Sequence, residues 1–433
     1  MSQYRAYPAY KDSGVEWIGQ VPEHWEVKPI CRVTSVNDDV LPDSTTDDTP
    51  IRYVDISSVG YMEGIKQASD MCFADAPSRA RRKASSGDVI ISTVRTYLKA
   101  VAAVTDEYAD CVFSTGFAVL RARHLDRSFL KWMVLNELLI QAIEAHSEGL
   151  SYPAINASAL VKLKSVIPPP EEQASIAATL DRETARIDAL IEKKTRFIEL
   201  LKEKRQALIT HAVTKGLDPN VNMKDSGVEW IGQVPVHWDV VPSTWLFVES
   251  KERAHEDDQH LSATQKYGVI SLAEYERLEG RQVTHAVKNL EQRKHVKLDD
   301  FVISMRSFQG GIERVKALGC VRSSYVVIQA GDGADKNYFA YLFKSGSYIQ
   351  GLQATSSFIR DGQDLNYGNF RQVRLPKPGS DEQMQIAKFL DQETARIDAL
   401  ARTTEQSITL LKERRAAFIT AAVTGQIDLR GKQ

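Results

Sequence analysis

The sequence predicts two domains of mixed α and β structure joined by two long helices that form an antiparallel coiled coil, the whole a pseudo-twofold internal repeat. Three observations predict it. The octapeptide Glu183-Thr184-Ala185-Arg186-Ile187-Asp188-Ala189-Leu190 returns letter for letter as Glu393 to Leu400. The stretch Lys11 to Pro22 (KDSGVEWIGQVP) returns unchanged as Lys224 to Pro235, with His24-Trp25 and His237-Trp238 just beyond the two copies. Between these landmarks the halves share little sequence, the pattern of a duplicated unit whose interior has diverged. The boundaries fall at residues 1–168 for the first domain, 169–216 for the first long helix, 217–378 for the second domain and 379–433 for the second helix.

Each octapeptide lies in a long stretch free of Gly and Pro. The first stretch opens on Pro168-Pro169-Pro170 with Glu171 and Glu172 behind, a helix start with acids in its first turn. The second opens on Ser380-Asp381-Glu382-Gln383, a capping-box spelling. Gly216 and Gly425 stand just past the two ends, where a left-handed cap belongs. Leu180, Ile187, Leu201 and Leu208 share one heptad position, with Leu190 and Phe197 at the other. The second copy keeps Leu390, Ile397, Leu411 and Phe418, joined by Leu400. A stripe at period seven is what lets one helix pack along another. About 43 residues at 1.5 Å each give a rod of roughly 65 Å, too long for a small core. Residues 171 to 214 hold eight acids and eight bases, a balance suited to a solvated face and helix pairing.

The intervening regions, residues 31 to 165 and 244 to 375, carry short β-branched runs between turn signals. Val89 to Ser92 and Phe301 to Ser304 read as strands, as do Phe117 to Leu120 and Tyr325 to Ile328. Phe129 to Ala145 and Tyr338 to Leu352 read as amphipathic helices behind them. The element order is the same in both halves, a shared scaffold with divergent loops. Lys215 to Met223 is a linker by composition. Trp17, Trp25, Trp230 and Trp238 are the same in both copies, which suits packing anchors rather than the reading of two different ligands.

A chain of 433 residues exceeds a single core, so about two to four domains are expected. The net charge of −2 argues against gripping nucleic acid by bulk positive charge, while leaving room for local basic patches. Cys31, Cys72, Cys111 and Cys320 are too scattered for a metal knuckle or a disulfide frame, and a reducing cytoplasm is expected. The N-terminus shows no apolar signal region, and no run approaches the ~18 apolar residues that span a bilayer. There is no GxxxxGK[ST] phosphate loop, no Asn-Pro-Pro-aromatic or Asp-Pro-Pro-aromatic tetrapeptide, no HExxH and no Cys/His zinc spacing. A methyltransferase, nuclease or helicase carries at least one of these.

GVEWIGQVPEHW or GVEWIGQVPVHW at the head of each half, PPPEEQ or SDEQ before a long helix, ETARIDAL within it and LKEKR…ITHAVT or LKERR…ITAAVT at its end resemble the DNA specificity subunit of type I restriction-modification systems. The match runs along essentially the whole chain. The resemblance implies a non-catalytic subunit whose two target-recognition domains each read one half of a bipartite, asymmetric site in double-stranded DNA. It implies that the paired helices set the distance between the domains and dock two methylation subunits, with restriction subunits completing the assembly. No cofactor is expected on this chain; S-adenosylmethionine, ATP and Mg are expected on the partner subunits. No membrane partner is expected. A coiled-coil scaffold that never touches DNA is the competing reading, against which parallel variation of two loop sets speaks; an enzyme of unrecognised class is a third.

Candidate DNA contacts follow. Arg79, Arg81, Arg82 and Lys83 form the densest basic run of the first domain, suited either to phosphates or to a solvated charged loop. Arg95, Thr96, Tyr97 and Lys99 follow one strand, and Arg306, Ser307 and Gln309 follow its counterpart. Arg beside hydroxyl and amide groups at a strand end suits base edges in the major groove. Ser151 and Tyr152, within Ser147 to Tyr152, and Ser356 and Arg360, within Ser356 to Asp361, lie in polar loops before Ile155-Asn156 and Leu365-Asn366.

Overall fold

A computed structural model of the chain describes residues 4–280, 282, 292–304, 307–355 and 367–430. It divides into two compact units, one of residues 1–195 with 406–433 and one of residues 196–405. The divisions fall inside the two long helices, Pro170–Lys215 and Ser380–Val423. Each unit therefore holds a length of both.

The first unit carries a five-stranded sheet ordered Asp39–Val40, Ala80–Lys83, Val112–Ser114, Pro50–Val54, Ser69–Cys72. Only the pairing of Val112–Ser114 with Pro50–Val54 is parallel. A four-stranded antiparallel sheet is ordered Val101–Ala103, Val89–Ser92, Phe117–Ala122, Thr34–Val36. Strand Val89–Ser92 is buried on both faces, so it reads as a continuous apolar run rather than an alternating one. In the second unit the corresponding sheet is Phe247–Ser250, Val326–Ala330, Phe301–Ile303, Glu313–Arg314. The turns into the two central strands are alike. Asp88 accepts from the Ser85 amide at 2.8 Å, and Asp300 from the Lys297 amide at 2.9 Å. The residue before each, Gly87 or Asp299, has positive φ.

Where a single helix is expected over Phe129 to Ala145, there are two, Arg127–Val134 and Glu137–Ala145. Asn136 breaks the run because its side chain accepts from the Leu138 amide and caps the second helix. Tyr338 to Leu352 divides likewise into Lys336–Leu342 and Gly346–Ala354, where Ser345 caps.

In each unit the start of one long helix packs with the end of the other, so the pairing is antiparallel. Ile176, Ala177 and Leu180 share a core with Phe418, Ile419 and Ala422 in the first unit. Ile386, Ala387 and Leu390 share one with Ile209, Ala212 and Val213 in the second. The repeated octapeptide accounts for itself here. Thr184 and Thr394 are buried, each hydroxyl bonded to the carbonyl four residues back at 2.6 Å. Ile187 and Ile397 are buried beside them. Asp188 pairs with Arg415, and Asp398 with Arg205 at 3.2 Å, so each copy reaches an arginine of the other helix's closing motif.

The seam departs from the expected second stripe. Leu201 and Phe418 are buried and Leu208 and Leu411 half-buried, but Leu190 and Leu400 are about half exposed, as is Phe197. Thr184 and Ile198, three residues before Ile187 and Leu201, take the inward position instead. The capping box also differs. Gln383 turns its amide to the Pro378 carbonyl at 2.9 Å and accepts from the Asp335 amide at 2.8 Å, rather than reaching back to Ser380. Gly216 and Gly425 do take positive φ at the helix ends. A Cβ on Gly425 would fall on Pro22 and come within 3.0 Å of Trp25.

Candidate nucleic-acid interface

The repeated motifs lock onto the helix starts. Trp25 is fully buried and its indole N–H donates to Glu172 at 3.0 Å. Tyr7 Oη donates to the same carboxylate at 2.9 Å, and His24 Nε2 lies 2.6 Å from it. In the second unit Trp238 and His237 meet Glu382, both at 2.9 Å. Gln173 and Gln383 stand next in line, accepting from the amides of Asp126 and Asp335, the caps of the short helices. The tryptophans thus anchor each variable region to a helix end. Sequence reading finds both motifs but not that they are partners; a carboxylate repeated in the helix's first turn beside a repeated indole is the signal it holds.

On this platform the strand Val89–Ser92 delivers the loop that follows it. Thr93 bonds the Gly116 carbonyl at 2.9 Å, and Ile155 donates to the Thr93 carbonyl at 2.8 Å. Arg95 and Lys99 both have left-handed backbone, with φ of 52° and 49°, and they bracket the turn Thr96–Leu98. Non-glycine residues pay strain for that conformation and keep it where surroundings enforce it. The enforcement comes from Thr96, which is buried and donates to Ser147 Oγ at 2.9 Å. The second loop is pinned by bridges of Ala154 to Val94 and to Glu148.

Two candidate segments that are separate in the sequence are thereby brought together. Arg95 lies over the Tyr152 ring at 5.2 Å, a cation–π contact. Tyr97, Tyr152 and Leu150 are exposed, Leu150 completely, and Ser151 is exposed between them. Lys99 is half-buried. The surface therefore presents a guanidinium, two phenols and a hydroxyl on one patch, a set able to meet phosphates, base edges and base faces. Thr96 is not part of it, since its hydroxyl is spent holding the loops together.

The basic run is not a loop. Ala80–Lys83 is a strand inside the five-stranded sheet. Arg79 pairs with Asp55 at 2.8 Å and donates to Tyr53 Oη at 3.2 Å, and Arg81 lies 4.5 Å over Phe73. Burial pushes the Arg82 guanidinium below its ordinary value, and its Nε has no hydrogen-bond partner among the described residues. Lys83 lines a groove with Arg52, Asp70 and Asp110. These side chains are largely committed to the sheet.

In the second unit Ser307 is buried, its hydroxyl accepting from the Ser304 amide at 3.0 Å, and Gln309 is exposed. Arg306, Ser356 and Arg360, with the Leu365-Asn366 landmark, lie outside the described residues. Among the described residues no helix is long and apolar enough to cross a membrane.

Two mixed α and β domains, each locked to the start of a long helix, with the helices paired antiparallel, define a class of architecture with known representatives. In sequence and in fold the chain is similar to the specificity subunits of type I restriction-modification systems. It is 22% identical over 442 residues to the putative type I restriction enzyme MjaX specificity subunit of Methanocaldococcus jannaschii, covering 95% of this chain and 96% of that protein. A chain from a study of complex assembly and conformational transition of the type I R-M system superposes with a TM-score of 0.70 at 20% identity, covering 95% of this chain and 99% of its own. The HsdS subunit of Thermoanaerobacter tengcongensis superposes with a TM-score of 0.53 at 21% identity, over 94% and 98%. No protein-family model matches the chain.

Proposed function

We propose that the chain is the DNA-reading subunit of a type I restriction-modification enzyme, each variable region reading one half of a bipartite, asymmetric target. The observation that carries the reading is the exposed patch of Arg95, Tyr97, Ser151 and Tyr152, built from two loops of the diverged region and held by residues of its scaffold. The paired helices dock two methylation subunits, and Phe197, Leu200, Leu400 and Leu410, large apolar residues exposed along them, suit that role. Restriction subunits join the assembly. This chain reads and positions; S-adenosylmethionine, ATP and Mg belong to the partners, and the complex works in the cytoplasm.

Exchanging residues 31 to 165 for those of a relative tests the reading. Methylation mapping of the assembled complex is expected to show one half of the target changed and the other kept. Alteration of both halves would defeat it.

Arg95→Ala is expected to weaken specific DNA binding by about 1–3 kcal/mol and relax one position of one half-site, if the guanidinium meets a base edge. Titration of the complex on duplexes substituted base by base measures this. An equal loss on every sequence with a shallower salt dependence would assign Arg95 to phosphate instead.

A further inference from the structure

Away from the loops just described, the second unit gathers Glu252, His255 and His295, and one ligand-capable atom from each lies within 4.8 Å of the others. We propose that these three side chains bind a divalent transition metal of the zinc class, with water completing its coordination.

The donor set is the first argument. Two imidazoles and one carboxylate with an open position suit Zn2+ and its neighbours, whereas Mg2+ and Ca2+ require oxygen ligands. The second argument is the hydrogen bonding behind the ligands. His295 is buried on strand Lys294–Val296, and its Nδ1 lies 2.8 and 3.0 Å from the two oxygens of Asp258. A carboxylate only accepts, so Nδ1 carries the proton and Nε2 keeps its lone pair for a metal. A carboxylate behind a ligating histidine is the usual arrangement that fixes tautomer and ring orientation. Asp258 also accepts from the His255 amide at 2.9 Å, so one carboxylate organises both histidines.

The backbone holds the third ligand alongside. His295 donates its amide to the Glu252 carbonyl at 3.0 Å, and Ala254 donates to the Arg293 carbonyl at 3.0 Å. Metal–ligand bonds of 2.0–2.2 Å in a tetrahedron place ligand atoms about 3.4 Å apart, so atoms within 4.8 Å of one another need to close by at most about 1.4 Å on binding. His255 supplies the movement. Its ring stacks on His295 at 4.3 Å and 14°, with Nε2 donating to Glu252 Oε1 at 3.2 Å; the ring is exposed, so it can swing and shift to the Nδ1–H tautomer, and the ion then takes the place of that proton between Nε2 and Oε1. Lys297 holds the other Glu252 oxygen at 2.9 Å, leaving Oε1 for the ion.

The test is titration of the full chain, stripped with EDTA, with Zn2+ by calorimetry and with Co2+ by visible absorption. One equivalent is expected to bind with a four-coordinate cobalt spectrum, while Mg2+ and Ca2+ give no heat. His255→Ala and Glu252→Gln change side chains that are not buried, so the fold is expected to survive, and each is expected to weaken binding at least about tenfold. Asp258→Asn is expected to weaken it by about 10–100-fold while leaving every ligand in place. Binding no tighter than about 1 mM overturns the proposal, as does an affinity that neither His255→Ala nor Glu252→Gln reduces.

Discussion

Replacing Trp25 with alanine is expected to destabilise the first unit by about 3–5 kcal/mol, the range for removing a fully buried large aromatic. The side chain is 0% exposed and meets Tyr7 edge-on at a centroid distance of 5.3 Å. Two losses combine. The cavity forfeits packing, and Glu172, itself 5% exposed, loses the indole N–H while keeping Tyr7, His24 and, at 3.8 Å, the Arg430 guanidinium. Trp25→Phe separates them: most of the ring volume stays, the N–H goes, and about 1–3 kcal/mol is expected from the carboxylate left short of a donor. Trp238→Ala should act on the second unit through Glu382 in the same way. Urea unfolding of the full chain, followed by hydrogen exchange on peptides from each unit, reads the two separately. A Trp25→Ala loss below about 1 kcal/mol would return the indole to the surface-reading role that its burial denies.

How much of this was legible depended on what kind of pattern each feature leaves. The helices and the duplication were readable because exact repeats and a Gly- and Pro-free heptad stripe need no tertiary information. The seam was readable only in half. Threonine does not register as apolar, so the heptad pattern puts the second stripe on Leu190 and Phe197, whereas Thr184 turns inward by bonding its own helix. The short helices ran together because Asn136 and Ser345 sit inside amphipathic windows, where their capping role competes with the periodicity. The basic run Arg79–Lys83 is ambiguous because charge suggests solvent, whereas Tyr53 in strand Pro50–Val54 of the same sheet, and Asp55 and Phe73 just past the ends of Pro50–Val54 and Ser69–Cys72, engage Arg79 and Arg81. The candidate interface was the mixed case. Arg95, Tyr97 and Tyr152 could be named from residue type and position after a strand. That Thr96 faces inward goes with left-handed backbone at Arg95 and Lys99, which no glycine announces.

Breaking the pair of Glu313 and Lys344 is the second large effect expected, and no motif pointed to it. Glu313 is 3% exposed; its Oε1 meets the Lys344 ammonium, and its Oε2 has no hydrogen-bond partner among the described residues. Lys344 also donates to the Gly310 carbonyl at 2.8 Å. Burial pushes the carboxyl up and the ammonium down from their ordinary values, and the charge of each partner works against the shift of the other. Lys344→Met should cost about 3 kcal/mol near neutral pH, the low end for a broken buried pair because the lysine is partly exposed. The variant's stability should then depend on pH in a definite direction. With its carboxyl pKa raised in the folded state, Glu313 contributes stability that is fully present below the ordinary carboxyl value of 4.5 and is lost as pH rises through the raised one. Acidification towards that value should therefore recover stability relative to the parent, which keeps its counter-ion. Glu313→Leu with Lys344→Met should restore most of the loss at every pH, since a hydrophobic pair leaves no charge buried. Denaturant midpoints of the three proteins across the acid range decide it. A Lys344→Met loss that stays flat with pH would mean that lost packing of the lysine stem, and not a stranded carboxylate, is what destabilises.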